Sequence, residues 1–309
     1  MIKLIQRTTD NKYLKSVETE TWVDNVKEAF EMTHRECEAA KTALNGIFLP
    51  EQLKVIVDMR KYKSITEEEK KELLDLLKIG WKPNQTNQEL LNRLGRGVSK
   101  DNRDLNYLIS DHIPNVMTLP QITQKFWQNN VWSGNQGSTP QCVGYAWAHW
   151  IEDGPVLHTG THPVVNPTTI YKESQKIDEW PGEKYDGTSV RAGAKYLKNT
   201  GKISSYLWAF DLTTMINTVL NVGPVVVGTN WYYNMFFPDK NGLIKLSGRL
   251  AGGHAYDVNG VDTVKQQFRI KNSWGTNWGQ QGHAFISFTD MARLIKERGE
   301  VCLAIENNF

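Results

Sequence analysis

Cysteine is scarce in this 309-residue sequence, with only Cys37, Cys142 and Cys302 present. So sparse and odd a set excludes a disulfide framework and reads as reduced thiols. An excess of charge of either sign is also missing. Lys plus Arg total 36 against 34 for Asp plus Glu, and the balance holds on both sides of Ser110. No strong field gathers nucleic acid or an anionic membrane, so neither is expected as a partner. Long apolar runs are absent too. The start, Met1-Ile2-Lys3-Leu4-Ile5-Gln6-Arg7, is interrupted by charge before a signal peptide could develop. Nowhere do the roughly 18 uninterrupted apolar residues of a membrane span occur. Without a secretion signal, the acceptor triplet Asn84-Gln85-Thr86 reads as accidental. The expectation is a soluble cytoplasmic protein.

What is present divides along the chain, whose length favours about two domains. Residues 3–7 and 12–17 read as short strands around a Thr8-Thr9-Asp10-Asn11 turn. The capping boxes Thr33/Glu36 and Thr66/Glu69 predict two helices, the first ending near Leu53 and the second running through Leu77. A shorter helix begins at Asn87. Gly95, Gly97, Ser99 and Asp101 predict a linker or exposed crossing. Beyond Pro120 lie nine of the eleven tryptophans, a texture of one substantial folded unit. Up to Thr218 this part reads mainly as helices, including 189–199. From Gly223 onward β-branched runs take over at 225–227, 255–261, 268–270 and 284–288. The expected domains are a small ββα module at 1–62, a helical linker or propeptide-like segment at 63–114, and an α+β domain at 115–309.

Of the three thiols, Cys142 stands apart. In Thr139-Pro140-Gln141-Cys142, Thr139 suits an N-cap and Pro140 a first helical position, which puts Cys142 in the first turn of a helix ended by Asp153-Gly154-Pro155. Unpaired N–H groups and the helix dipole there favour thiolate and lower a cysteine pKa. A packed core thiol is an equal alternative on this segment alone. It is the preferred reading for Cys37, in an Ala-rich helix, and for Cys302, in a strand. A thiolate nucleophile also needs an imidazole and a group to orient it. Of seven histidines, His254 in Gly252-Gly253-His254-Ala255-Tyr256 opens a strand whose glycines admit a neighbouring chain. His149, on the Cys142 helix, reads as a helix-face residue.

The run Asn272-Ser273-Trp274-Gly275-Thr276-Asn277-Trp278-Gly279 closely resembles the asparagine signature of the papain family of cysteine peptidases. Two further elements precede it in order: Gln136-Gly137, with Cys142 six residues after the glutamine, and Gly253-His254. The resemblance covers about 115–309 and is closest in style to disulfide-free prokaryotic or viral members. It implies a two-lobed α+β fold, with a helical lobe and a β-sheet or barrel lobe, preceded here by the N-terminal ββα/helical region. It also implies a thiol-dependent peptidase with a Cys142, His254, Asn272 triad and an acyl-enzyme intermediate. Gln136 would donate to the oxyanion, Trp274 would cover the His254–Asn272 hydrogen bond, and Gly187 would let substrate backbone lie alongside. A turn before a helix explains Gly187 equally well. Neither metal nor organic cofactor is implied, and the partner is a protein or peptide substrate.

The sequence departs from secreted members at Thr139, where they have cysteine, and at Val143, where they have tryptophan. Tyr145 or Trp147 are candidate substitutes for the lost wall. Aromatics among 232–238 read as core. Family members are typically made with an inhibitory helical leader, so a zymogen is one expectation for the N-terminal part and a docking module for a partner is another. Other acyl transfers on the same residues, such as amidase or transpeptidase chemistry, and a non-catalytic binding protein on the same scaffold are the alternative functions.

Overall fold

The computed structural model describes residues 3–7, 13–16, 21–23, 53–57, 85–98, 101–113, 116 and 122–308. Two compact units divide at the Lys82/Pro83 junction. The first holds strands β1 (Lys3–Arg7), β2 (Tyr13–Ser16), β3 (Thr21–Val23) and β4 (Leu53–Val57) in an antiparallel sheet ordered β3-β2-β1-β4. Two of these strands match the expected pair; β3 and β4 were not anticipated. The helices expected after Thr33 and Thr66, and Cys37, lie outside the described residues.

The second unit begins with α1 (Gln85–Leu91), followed by a 3-10 turn (Asn102–Asn106) and α2 (Ile109–His112). Strand β5 (Gln124–Phe126) leads to α3 (Cys142–Asp153), α4 (Pro167–Gln175) and α5 (Val190–Asn199). Local chemistry starts two of these helices. Asn166 caps α4 through Thr169 N–H with proline in the first turn, and Ser189 caps α5 through Ala192 N–H. Helix α3 starts at Cys142 itself with Gln141 as an uncapped N-cap, later than expected, and Thr139 Oγ1 donates to the carbonyl of Gln136.

Strands then dominate: β6 (Ile203–Ala209), β7 (Val225–Tyr232), β8 (Leu243–Ile244), β9 (Leu250–Asp262), β10 (Gln267–Lys271), β11 (His283–Ser287) and β12 (Glu300–Glu306), with α6 (Leu212–Asn221) and α7 (Phe288–Lys296) between them. The sheet order is β6-β12-β7-β9-β10-β11-β8, and β5 also pairs with β9. Antiparallel pairs prevail; β8 and β11 run parallel. Among the described residues this mixed sheet is open, with β6 and β8 at its edges, so the barrel expectation is not met. The two-residue β8 ends the sheet before it can close.

Adjacent residues of the central strands face opposite layers. Val226, Ala255 and Cys302 pack with α3, α4 and α5, whereas Val225, Val227, Tyr256, Val301 and Leu303 pack in the cluster holding Met215 of α6 and Leu294 of α7. Burial on both faces explains why these strands read as continuous apolar runs instead of alternating ones. Cys302 is accordingly a core thiol. The helices and the sheet meet where α3 begins and β9 passes, and the expected site residues gather there.

Candidate active site

Asn272 follows β10 directly and is held by main chain: its N–H donates to Gly282 O at 2.9 Å. Its Oδ1 accepts Ser273 N–H at 2.8 Å and lies 2.8 Å from His254 Nε2. An oxygen that already accepts a backbone N–H is the carbonyl end of the amide, so His254 carries its proton on Nε2. Nδ1 is then the basic nitrogen of the neutral ring, and among the described residues it has no hydrogen-bond partner. Trp274 stacks on the imidazole at 4.8 Å between centroids, and Trp231 meets it edge-on at 4.8 Å. The ring is thus shielded from water on two sides. Trp231 was not anticipated; nothing in the Val225 run marks it as a neighbour of the histidine.

The loop before α3 is tied to the Asn272 loop. Gln136 N–H donates to Ser273 O at 2.9 Å, Asn135 bridges Trp274, and Ser273 Oγ donates to Gln136 Oε1 at 2.5 Å. Gln136 Nε2 is thereby turned the other way, onto the carbonyls of Arg93, at 3.0 Å, and Thr139. Cys142 is wholly buried, and backbone N–H groups of Ala255, Gly95 and Val143 face its sulfur. Trp147 turns inward to donate to Val190 O and is fully buried, so it forms no wall beside the nucleophile. Tyr145 stacks on Trp132 and donates to Asn135 O.

Of the residues expected to form a linker or exposed crossing, Gly95 and Gly97 do the opposite, and Ser99 lies outside the described residues. Residues 93–97 run as a strap through the site. Arg96 N–H donates to Gly253 O at 3.1 Å, Gly97 N–H to Thr188 O at 2.8 Å, and Thr188 N–H to Gly95 O at 2.9 Å. Gly187, at φ +97°, tolerates this approach only as glycine, since a Cβ there would stand 2.2 Å from Gly95 O. At Gly253 a Cβ would stand 2.2 Å from Arg96 O. Glycines at 95 and 97 signalled a turn, but glycine equally serves two backbones in contact, and the sequence does not separate these uses.

Electrostatics follow from this covering. Burial pushes the Cys142 thiol up to about 11, against the facing N–H groups, which lower it. Burial also takes His254 down to about 4, with the Asn272 hydrogen bond opposing. The helix-start argument anticipated a depressed thiol pKa; with the strap in place desolvation outweighs it. Both groups are therefore neutral near pH 7. A cavity of about 590 Å³, lined by Tyr107, Arg191, Tyr206 and Trp208 among others, holds none of these residues. His149 is a buried helix residue, its Nε2 accepting Gly134 N–H at 2.9 Å. No cluster of three or more metal-ligating side chains occurs among the described residues, nor any helix long and apolar enough to cross a membrane.

Comparison with known proteins follows the same residues. A family model described as papain family cysteine protease matches residues 128–299. The viral cathepsin of Choristoneura fumiferana nuclear polyhedrosis virus is 28% identical over 133 residues, which are 42% of this chain and 39% of that protein. The chain thus spans about two-fifths of the length of the curated relative it matches. Xylellain, a cysteine protease from Xylella fastidiosa, superposes with a TM-score of 0.57 over 70% of this chain and 98% of that one, at 19% identity. A ragweed pollen cysteine protease in its proform gives 0.53 over 90% and 98%, at 15% identity. At such identities the likeness to solved structures is one of fold.

Proposed function

The chain belongs to the papain family of cysteine proteases, and from that premise we propose that it hydrolyses peptide bonds with Cys142 as nucleophile, His254 as acid and base, and Asn272 orienting the imidazole. The observation that carries this reading is the His254–Asn272 hydrogen bond at 2.8 Å beneath Trp274, which leaves Nδ1 as an unpartnered base. In the first step Cys142 Sγ attacks the scissile carbonyl and its proton passes to His254 Nδ1. The tetrahedral oxyanion takes hydrogen bonds from Gln136 Nε2 and the N–H of Cys142, and Arg93 O, held by Gln136, stands in for that oxygen. Donors of this kind act mainly as charge develops. His254 then protonates the departing amine. Water, deprotonated by the same ring, releases the acyl group and restores the thiol.

The strap supports a second part of the proposal. Its backbone occupies the space a substrate needs beside Gly187 and Cys142, so the described state is a latent one and residues 63–114 act as an inhibitory leader. Leaving the site would return water to Cys142 and His254 and bring their pKa values toward each other, favouring the thiolate–imidazolium pair. The two unpaired cysteines among the described residues agree with a reducing, cytoplasmic setting. Residues 1–62 are proposed as a separate module that docks a partner.

The test is to incubate the full chain beside its Cys142→Ala variant. Cys142-dependent cleavage between Arg96 and Pro120, together with covalent labelling of Cys142 by a peptidyl epoxide, is expected. No cleavage of the chain or of a peptide library, with Cys142 unlabelled, overturns the reading. Mass spectrometry of the products separates hydrolysis from transpeptidation, which would give ligated peptides.

A further inference from the structure

The two aromatic walls beside His254 come from different parts of the chain. Trp274 follows Asn272 closely, so a single turn delivers both. Trp231 arrives from β7, where Thr229 is paired with His254 and Trp231 with Gly252. Directly paired residues share a face of the sheet, so Trp231 and His254 are diagonal neighbours on one face. Gly252 brings no side chain of its own between them. Leu94 of the strap covers that position instead, since a Cβ at 252 would stand 3.0 Å from Leu94 Cδ1.

Four rings meet the Trp231 indole edge-on. The centroids of His254, Trp274, Tyr256 and Phe236 lie 4.8, 5.4, 5.7 and 6.2 Å away, at interplanar angles between 65° and 84°. The indole is fully buried, yet its Nε1–H has no hydrogen-bond partner among the described residues. A buried tryptophan ordinarily finds one, and leaving the donor unpaired costs stability. A phenylalanine would pack here without that loss. Core packing alone therefore does not account for an indole at 231.

The demand comes from the imidazole. Asn272 holds it at Nε2 alone, and a ring held by one hydrogen bond is free to tilt about it. Trp274 lies over one face at 29°, and Trp231 closes another side at 71°. Two walls that are not parallel remove the tilt. Tilting would change where Nδ1 points, and proton exchange with a thiol depends steeply on that direction.

We propose that Trp231 is a positioning residue: together with Trp274 it confines the His254 ring so that Nδ1 stays aimed at Cys142, and it closes that side of the ring to water. The inference rests on the peptidase reading above. Trp231 touches no reacting atom and acts through His254. The titratable groups around the ring are Tyr256 of β9, at 5.9 Å, Arg93 of the strap, 5.9 Å from the Trp274 ring, and Cys142, whose sulfur faces Ala255 N–H. Burial and the Asn272 hydrogen bond set the His254 pKa.

The experiment uses the full chain and its Trp231→Phe and Trp231→Ala variants, well below their melting temperatures. Labelling of Cys142 by a peptidyl epoxide, followed by intact mass over a range of concentrations, gives a maximal rate and a half-saturating concentration. The maximal rate is expected to fall about tenfold in Trp231→Phe and about a hundredfold in Trp231→Ala. The half-saturating concentration should fall no more than a looser strap requires, and should not rise, because Trp231 is no substrate contact. Titration of the ¹⁵N-labelled His254 ring, assigned by its loss in His254→Gln, should move from about 4 toward the ordinary 6.5 in Trp231→Ala, as water reaches the ring. Should Trp231→Ala fail to fold, Trp231→Phe decides, with a smaller shift in the same direction. A lower melting temperature with the maximal rate or the His254 titration unchanged makes Trp231 a packing residue only and overturns the proposal, leaving the peptidase reading intact. No labelling of the unsubstituted chain overturns the peptidase reading and the proposal with it.

Discussion

Two of the buried ion pairs in this unit differ in what lies behind them. Lys271 Nζ meets Asp153 Oδ1 at 2.8 Å with both side chains fully buried. Asp153 closes α3 and Lys271 closes β10, so the pair joins helices to sheet. It is embedded further: Asn259 Nδ2 donates to Asp153 Oδ2 at 2.6 Å, and Arg269 Nε donates to Asn259 Oδ1 at 2.9 Å. Asp257 lies beside them, its carboxyl pushed well above the ordinary range by burial and then by Asp153. Arg96 and Glu300 form a pair of similar chemistry, but one partner sits on a strap. Losing Asp153 from the first pair strips Lys271 of its hydrogen-bonded partner where water cannot reach, and Asp257 must ionise in a buried site to replace it. Losing one in the second can be relieved by lifting five residues. The cost of breaking a buried pair is thus capped by the least costly motion that readmits solvent.

The largest expected effect tests the fixed pair. Asp153→Ala should destabilise the fold by about 3–5 kcal/mol, because Lys271 loses its hydrogen-bonded carboxylate in a buried site that Asp257 can serve only by ionising there, and thermal melting will read it. Next comes Gln136→Ala. Its loss should lower turnover by about 10²–10³-fold, since its donor serves the forming oxyanion, and should lower the melting temperature as well, because Ser273 Oγ and the carbonyls of Arg93 and Thr139 lose a buried partner. Arg96→Ala is the direct contrast. Melting should change by less than about 1 kcal/mol, while amide exchange at residues 93–98 loses its protection and activity rises. Equal losses of global stability in Asp153→Ala and Arg96→Ala would erase the distinction between the pairs.

The smallest effect is in pH. With the thiol at about 11, only about one part in 10⁴ of Cys142 is thiolate at pH 7. Alkylation by iodoacetamide should therefore be slow and climb toward pH 11. Arg96→Ala should move the profile to lower pH, because burial is the first cause of the shift. The linkage has a definite sign. A thiol pKa raised in the folded chain contributes stability below its ordinary value of about 9, and that contribution is lost as pH rises from there through about 11. Chemical denaturation at pH 8 and pH 11 should show the fall, and it should be smaller in Arg96→Ala.

Much of the site was legible in the chain because its parts are local. Pro140 and Thr139 announced a helix start near Cys142, although the helix begins at Cys142 with Gln141 before it. The run after Asn272 announced a glycine-rich turn after a strand, and Asn272 directly follows β10. The apolar runs from Val225 onward announced strands, and their continuity followed from burial on both faces. What misled was also local. Residues 95–101 have the composition of a linker, and composition does not record that Gly95 and Gly187 are glycines for each other's sake.

The sequence by itself determined the inventory: one thiol at a helix start, one histidine after paired glycines, one asparagine in a family signature, and charge too balanced to choose a partner. Only the tertiary structure decided the state of that inventory. It brought residues 93–97 across Cys142, and desolvation then outweighed the helix-start N–H groups and left the thiol protonated. It also set Arg96 against Glu300, 204 positions apart. Such a pairing leaves no trace in spacing or periodicity, because its cause is the packing of β12 beside β7 and the missing side chain at Gly228.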